Sequence, residues 1–373
     1  MSATPASGPH PRFRLLDGLR LVAAFAVVGY HYTAFRHQFW GDVFPAQEFP
    51  FLSKFTAYGA LGVQLFFLIS GFVILMSAQG RTVPQFVTSR VSRLYPTYWV
   101  AVIAATFLTT VIAPGLLKPV SPQGFLANLT MVQQGLGVPH IDGVYWTLWV
   151  ELLFYVLMCG LLSIGLTERR VLAFAFLWPL VASLARVTHV DFLTWVLWPQ
   201  YAPLFCGGMA LYLIYSNGHS LIRWLLVIYN LCIAAQQTVD NFVMTSLQRN
   251  TGLDLSPLVG TLAVVGMFAV VAAVTVTPLR KVGPAWLSYA GALTYPLYLF
   301  HEAWGWWIID VLHDNVGKWV TLAVAVVVSV AIAAAVERWI DRPLRPRFTS
   351  LLKRGFVRGG RDTSIVKVSE PAA

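Results

Sequence analysis

The chain has 373 residues, of which 57% are apolar and only 11% charged, with a formal net charge of +10. A soluble domain carries about 25% charged residues, so this composition excludes an ordinary soluble globular protein. The positive charge does not indicate nucleic acid, because the basic residues cluster in alternate loops and in the C-terminal tail.

Runs of mostly apolar residues long enough to cross a bilayer recur along the whole chain, and strand-type alternation is absent. This predicts an all-α polytopic membrane protein of about ten helices around a polar tunnel. In chain order the helices fall near 15–35, 58–78, 94–113, 145–166, 171–187, 192–215, 220–239, 256–277, 285–310 and 319–340. The short segment before Leu15 has no cleavage-site pattern, so the first helix is expected to be retained. One set of loops carries Arg12, Arg14, Arg81, Arg90, Arg93, Arg169, Arg170, Arg223, Arg280 and Lys281, and a basic tail joins them. The opposite set holds only Arg36, Lys54, Lys118, Arg186, Arg249 and Lys318. That imbalance puts both termini in the cytoplasm of a multi-pass protein of the cell membrane. The expected layout is a short N-terminal segment (1–12), a membrane domain (13–347) and a basic tail (348–373) without fixed structure. Such a tail would lie on an anionic leaflet, so membrane lipid is an expected partner. The outward loop 113–144 is expected to fold as a cap. Cys159, Cys206 and Cys232 sit in apolar stretches without metal spacing, which predicts core residues and no metal site.

Arg20 and His31 stand inside the first apolar run. Ionisable residues at such depth cost about 2.5–3.5 kcal/mol and usually serve a purpose. Eleven positions separate the two, which is three turns plus about 20°, so they share a face about 16 Å apart along the axis. The fourth helix brings Glu151 and Tyr155 to the outer half, and the ninth brings His301 and Glu302. Imidazole is the side chain suited to taking a proton at neutral pH, and a carboxylate can hold its tautomer. His31 with Glu151 is therefore the expected catalytic pair, able to activate a hydroxyl for attack on an acyl donor. Arg90 and Arg93 precede the predicted third helix, and with Arg20 and Arg81 they form a cationic mouth suited to phosphates. Read from the residues alone, plainer accounts stand beside these. The loop arginines satisfy the inside-charge bias by themselves, and His301 could belong to the aromatic belt of Trp304, Trp306 and Trp307.

The motifs resemble those of the acyltransferase-3 family, multi-span membrane acetylases that modify polysaccharides and related acceptors. The first helix reads Leu16-Asp17-Gly18-Leu19-Arg20 and ends in Tyr30-His31, with the family's arginine-to-histidine spacing. Phe66-Phe67-Leu68-Ile69-Ser70-Gly71-Phe72 follows on the second helix, then Arg90-Val91-Ser92-Arg93. Trp146-Thr147-Leu148 with Glu151, Phe154 and Tyr155 is similar to a third element, although Thr147 stands where serine is usual. Ser288, Thr294, Tyr295, Tyr298 and His301 resemble the late element, and Asp341 replaces a common glutamate before Arg342-Pro343. The resemblance runs from about residue 13 to 347.

It implies an acyl-coenzyme A donor, most often acetyl-CoA, and a hydroxyl acceptor on a glycan or small molecule. His31 would be the essential base. Arg20 would help bind the donor or shape the tunnel, and Arg90 and Arg93 would serve the coenzyme phosphates. Asp17, Ser70, Trp146, Tyr155, Tyr298 and His301 are further candidate site residues. No second, esterase-like domain is expected, so the acyl group would pass to the acceptor directly or through a partner, glycan-assembly proteins among them. The rival readings are a secondary transporter or flippase with a His31/Glu151 proton relay, and a non-catalytic scaffold.

Overall fold

The structure, a computed structural model, describes residues 13–362. The expected N-terminal segment and the end of the tail lie outside them. Numbering only the longer helices, α1 is Arg14–Thr33, α2 Gly62–Ala78, α3 Val83–Phe107, α4 Trp146–Ile164 and α5 Glu168–Val187. They are followed by α6 Ala202–Asn217, α7 Leu221–Thr238, α8 Pro257–Val276, α9 Trp286–Leu312, α10 Lys318–Val336 and α11 Arg342–Asp362. The described chain is all-α, and six helical stretches are long and apolar enough to cross a membrane: Ser53–Ala78, Val83–Ile112, Gly143–Ile164, Glu168–Val187, Pro257–Val276 and Lys318–Arg354. The helices α1 and α9 are not among them; both carry the ionisable residues that matter below.

Several boundaries depart from the sequence reading, each for a local reason. Helix α3 begins eleven residues early because Thr82 and Gln85 form a capping box with Pro84 in the first turn. Arg90 and Arg93 are thus on the helix, three positions apart and on neighbouring faces, not before it. The predicted sixth span is broken: a short helix Asp191–Leu197 ends at Trp198, which takes a left-handed conformation before Pro199 and α6. Helix α7 continues through a π-helical stretch, Val239–Leu247, to Thr251. The tail, expected without structure from 348, is helical as far as Asp362. Leu344, Phe348, Leu351 and Leu352 repeat at helical spacing on α11, and Phe348 meets Trp99 of α3 edge-on at 5.6 Å between centroids. The loop 113–144 folds as expected, around the fully buried Asn128. Its side-chain N–H groups donate to Gly124 O and Pro139 O, and its oxygen accepts from Ile141 N.

Packing is tightest where glycine removes a side chain. Helices α2 and α6 cross with Gly71 against the carbonyl of Phe205 and Gly208 against the carbonyl of Leu68, and a Cβ at either position would overlap that backbone. Around this crossing Phe67, Phe72, Phe154 and Phe205 pack into the principal core. On the other side α1 lies between α2 and α9, and α9 packs on α10.

The crossing gives a stability test. Gly208→Val forces backbone apart in a place where no rotamer relieves the overlap, and overpacking costs about 1–3 kcal/mol. A clear fall in the melting temperature of the detergent-purified protein is expected. Gly266→Ala on α8, which faces open space, should leave it unchanged or slightly raised.

Candidate active site

Helices α1 and α9 bring His31 and His301 together, with His301 Nε2 2.9 Å from His31 Nδ1. The protons on this pair follow from their partners. His301 Nδ1 lies 2.9 Å from Tyr298 O and 3.2 Å from Leu297 O. Carbonyl oxygens only accept, so the neutral His301 carries its proton on Nδ1 and presents Nε2 as an acceptor. His31 Nδ1 faces that acceptor and also Val27 O, 3.1 Å away. It must therefore donate, which leaves the His31 lone pair on Nε2.

That nitrogen is 3.4 Å from Glu302 Oε2. Behind Glu302 lies Asp142, at the end of the folded loop, where it accepts hydrogen bonds from Val144 N (3.2 Å) and Ala303 N (3.3 Å). Burial pushes the Asp142 carboxyl up to about 7, and the two backbone donors offset only part of that cost. Gly143 has no side chain here for a steric reason, since a Cβ would strike Glu302 Oε1.

His31 and Glu302 open onto a cavity of about 210 Å³ lined also by Tyr30, Phe35, Trp146, Phe242, Asn250 and Tyr298. A second, narrower cavity is lined by Arg20, Ser70, Arg93, Thr147, Glu151 and Tyr295. Val63 and Tyr298 line both, so the two meet at those side chains. In the second cavity Tyr155 OH donates to Glu151 Oε1 at 2.8 Å, with Ser70 Oγ 3.5 Å from the same oxygen. Arg20 sits 4.0 Å from Asp17 and within electrostatic reach of Arg93 and Glu151. Arg90 is buried, its guanidinium carbon 5.7 Å from the Phe86 ring centroid and 6.0 Å from that of Tyr155. Tyr298 OH accepts from Thr147 Oγ1 at 2.9 Å and lies 3.2 Å from Val144 O.

The expected pairing of His31 with Glu151 is corrected by this geometry. Glu151 is five residues beyond Trp146, about 7.5 Å further along α4 and turned by about 140°, so Trp146 reaches the histidine cavity and Glu151 the arginine one. The carboxylate beside His31 is Glu302. Its depth was legible in the sequence, but its place beside His31 was not. Asp142 lay in a loop and gave no signal, and Phe242 and Asn250 lie past the predicted end of α7. Arg20, Arg93, Ser70 and Tyr155 gather with Glu151 as a group, and His31, Trp146, Tyr298 and His301 as another. No cluster of His, Cys, Asp and Glu suited to a metal occurs among the described residues.

The acyltransferase-3 family, whose defining unit is described as an acyltransferase domain, matches residues 13–338. The chain belongs to that family. It is similar to "Acyltransferase MdmB" of Streptomyces mycarofaciens, 32% identical over 151 residues covering 39% of this chain and 38% of that protein. It is also similar to "Exopolysaccharide production protein ExoZ" of Rhizobium meliloti strain 1021, 31% identical over 116 residues covering 27% of this chain and 34% of that protein. The matched region thus spans little more than a third of either relative. No solved structure is a significant match.

Gly143→Ala tests whether the Glu302 position matters. The Cβ displaces the carboxylate while the backbone, not in the left-handed region, accepts alanine. Misplacement by about 1 Å can cost about 100-fold, so acyl transfer should fall at least about tenfold with the melting temperature little changed. An unaffected rate would remove Glu302 from the reaction.

Proposed function

We propose that this acyltransferase is a membrane-embedded O-acyltransferase moving an acyl group, acetyl in the simplest case, from acyl-coenzyme A to a hydroxyl of a surface or lipid-linked glycan or a small metabolite. The chain would cross the bilayer about ten times with both termini in the cytoplasm. The arginine cavity would then open to the cytoplasmic donor and the histidine cavity to the outer acceptor. The similarity to an exopolysaccharide production protein, ExoZ, favours a polysaccharide acceptor.

The observation that carries this reading is the His31 Nε2 lone pair, held by His301 and aimed into a cavity that meets an arginine-lined one. In the reaction, His31 Nε2 takes the acceptor hydroxyl proton as the oxygen attacks the thioester carbonyl. The His301 Nε2 acceptor and the Glu302 carboxylate stabilise the resulting imidazolium. Tyr298 OH, where the two cavities meet, would turn its proton from Val144 O to the oxyanion. Collapse breaks the carbon–sulfur bond, the thiolate takes the proton from His31, and an ester and free coenzyme leave. Arg20, Arg90 and Arg93 would hold the coenzyme phosphates, with Glu151 and Asp17 balancing their charge when the site is empty.

Purified protein given labelled acetyl-coenzyme A and an acceptor extract should release free coenzyme and label the acceptor. His31→Ala should abolish release without loss of folded protein, and full release by that variant would overturn the proposal. Glu302→Gln should lower kcat by about 10²- to 10⁴-fold. Glu151→Gln should act mainly on the KM for the coenzyme ester.

A further inference from the structure

We propose that Arg345, on the C-terminal helix α11, completes a phosphate-binding cradle with Arg90 and Arg93, so that the tail helix is part of the donor site. The proposal deepens the acyl-coenzyme A reading and takes its ligand class, a nucleotide-linked phosphate, from it.

Helix α11 packs along α3 and is fastened at two points. At its start Asp341 Oδ1 accepts from Thr97 Oγ1 at 3.2 Å. Two turns on, Phe348 meets Trp99. Arg345 lies between these anchors, within electrostatic reach of Arg93 and Arg90 of α3 and of Asp341 one turn before it. It is exposed, so a solvent-borne ligand can reach it. Arg90 is the buried member, and its Nε has no hydrogen-bond partner although water does not reach it. An unpaired guanidinium N–H at such a place is costly, and a ligand acceptor would remove the cost.

The nearby carboxylates leave the arginines incompletely balanced. Four guanidiniums, Arg20, Arg90, Arg93 and Arg345, are set against three carboxylates, Asp17, Glu151 and Asp341. Like charges brought together on two helices repel more strongly near a low-dielectric interior. A multiply charged phosphate offers what the cluster lacks: several acceptor oxygens in a geometry that guanidinium forks match in pairs. Arg93 lines the cavity that reaches Tyr298, so a phosphate held here leaves the rest of a long donor free to extend inward.

The test uses the full chain in lipid nanodiscs, with acetyl-coenzyme A turnover and calorimetric binding of inorganic pyrophosphate as separate readouts. Arg345→Gln should raise the KM for acetyl-coenzyme A and the Kd for pyrophosphate about tenfold, as loss of a charge-assisted contact does, with kcat within about twofold. Arg345→Lys should recover part of the loss. Arg347→Gln, about 200° around the same helix, should match the wild type. Unchanged KM and Kd in Arg345→Gln would overturn the proposal, and so would an equal loss in Arg347→Gln, which signals diffuse attraction only. If the wild type binds pyrophosphate in an Arg345-dependent way yet turns over no acetyl-coenzyme A, the cradle stands and the donor reading falls.

Discussion

Two imidazoles sit side by side among helices, and main-chain carbonyls of α9 dictate which nitrogens carry the protons of the neutral rings. Leu297 O and Tyr298 O can only accept from His301, so His301 can only accept from His31. The ring that would act as base is thereby held in one tautomer before any substrate arrives. Keeping that alignment demands that α1 not slide or rotate against α9. The end of α1 shows how this is met, because its last carbonyls, which a helix leaves without partners, are taken by side chains. His37 Nε2 and Trp306 Nε1 lie 3.1 and 3.2 Å from His31 O, and Trp40 Nε1 donates to Tyr32 O at 2.9 Å. Tyr32 OH in turn donates to His301 O and contacts Ser329 Oγ of α10, each at 2.7 Å. Gly305 leaves the space that this hydroxyl occupies. The helix terminus and the base are thus fixed by the same contacts.

The charged residues of the interior divide by chemistry. The imidazoles collect with Glu302 and Asp142 near the end of α1, whereas the guanidiniums collect with Glu151 and Asp17 around Arg20, about 16 Å away along the axis. The boundary between them is apolar and aromatic, with Val63 and Tyr298 shared by the two cavities. Separation lets a long, thin molecule touch both groups at once. The close glycine crossing of α2 and α6 holds one wall of this arrangement, since Phe66, Phe67 and Ser70 on α2 line the arginine cavity.

Much of this was legible before any coordinates. Apolar runs of bilayer length can hardly be anything but helices, and the placement of His31 one face above Arg20 needs only the helical repeat. Boundaries were less legible. Thr82, Pro84 and Gln85 start α3 by hydrogen bonding and fixed torsion, which a hydropathy average does not register. The helical tail was hidden by its charge, which masked the Leu344, Phe348, Leu351 and Leu352 repeat.

The sequence by itself determined the all-helical class, the family and the chemical types available: an imidazole base, a second histidine, several carboxylates and a set of arginines. Tertiary structure alone decided which carboxylate meets which base. Glu151 and Glu302 sit on different helices, and along each helix a few residues of offset and part of a turn choose the cavity. Asp142 reaches Glu302 only because a loop folds over Asn128, and Arg345 reaches α3 only because the tail docks there. Such pairings depend on how helices are set against one another across hundreds of residues, and local periodicity carries no information about that.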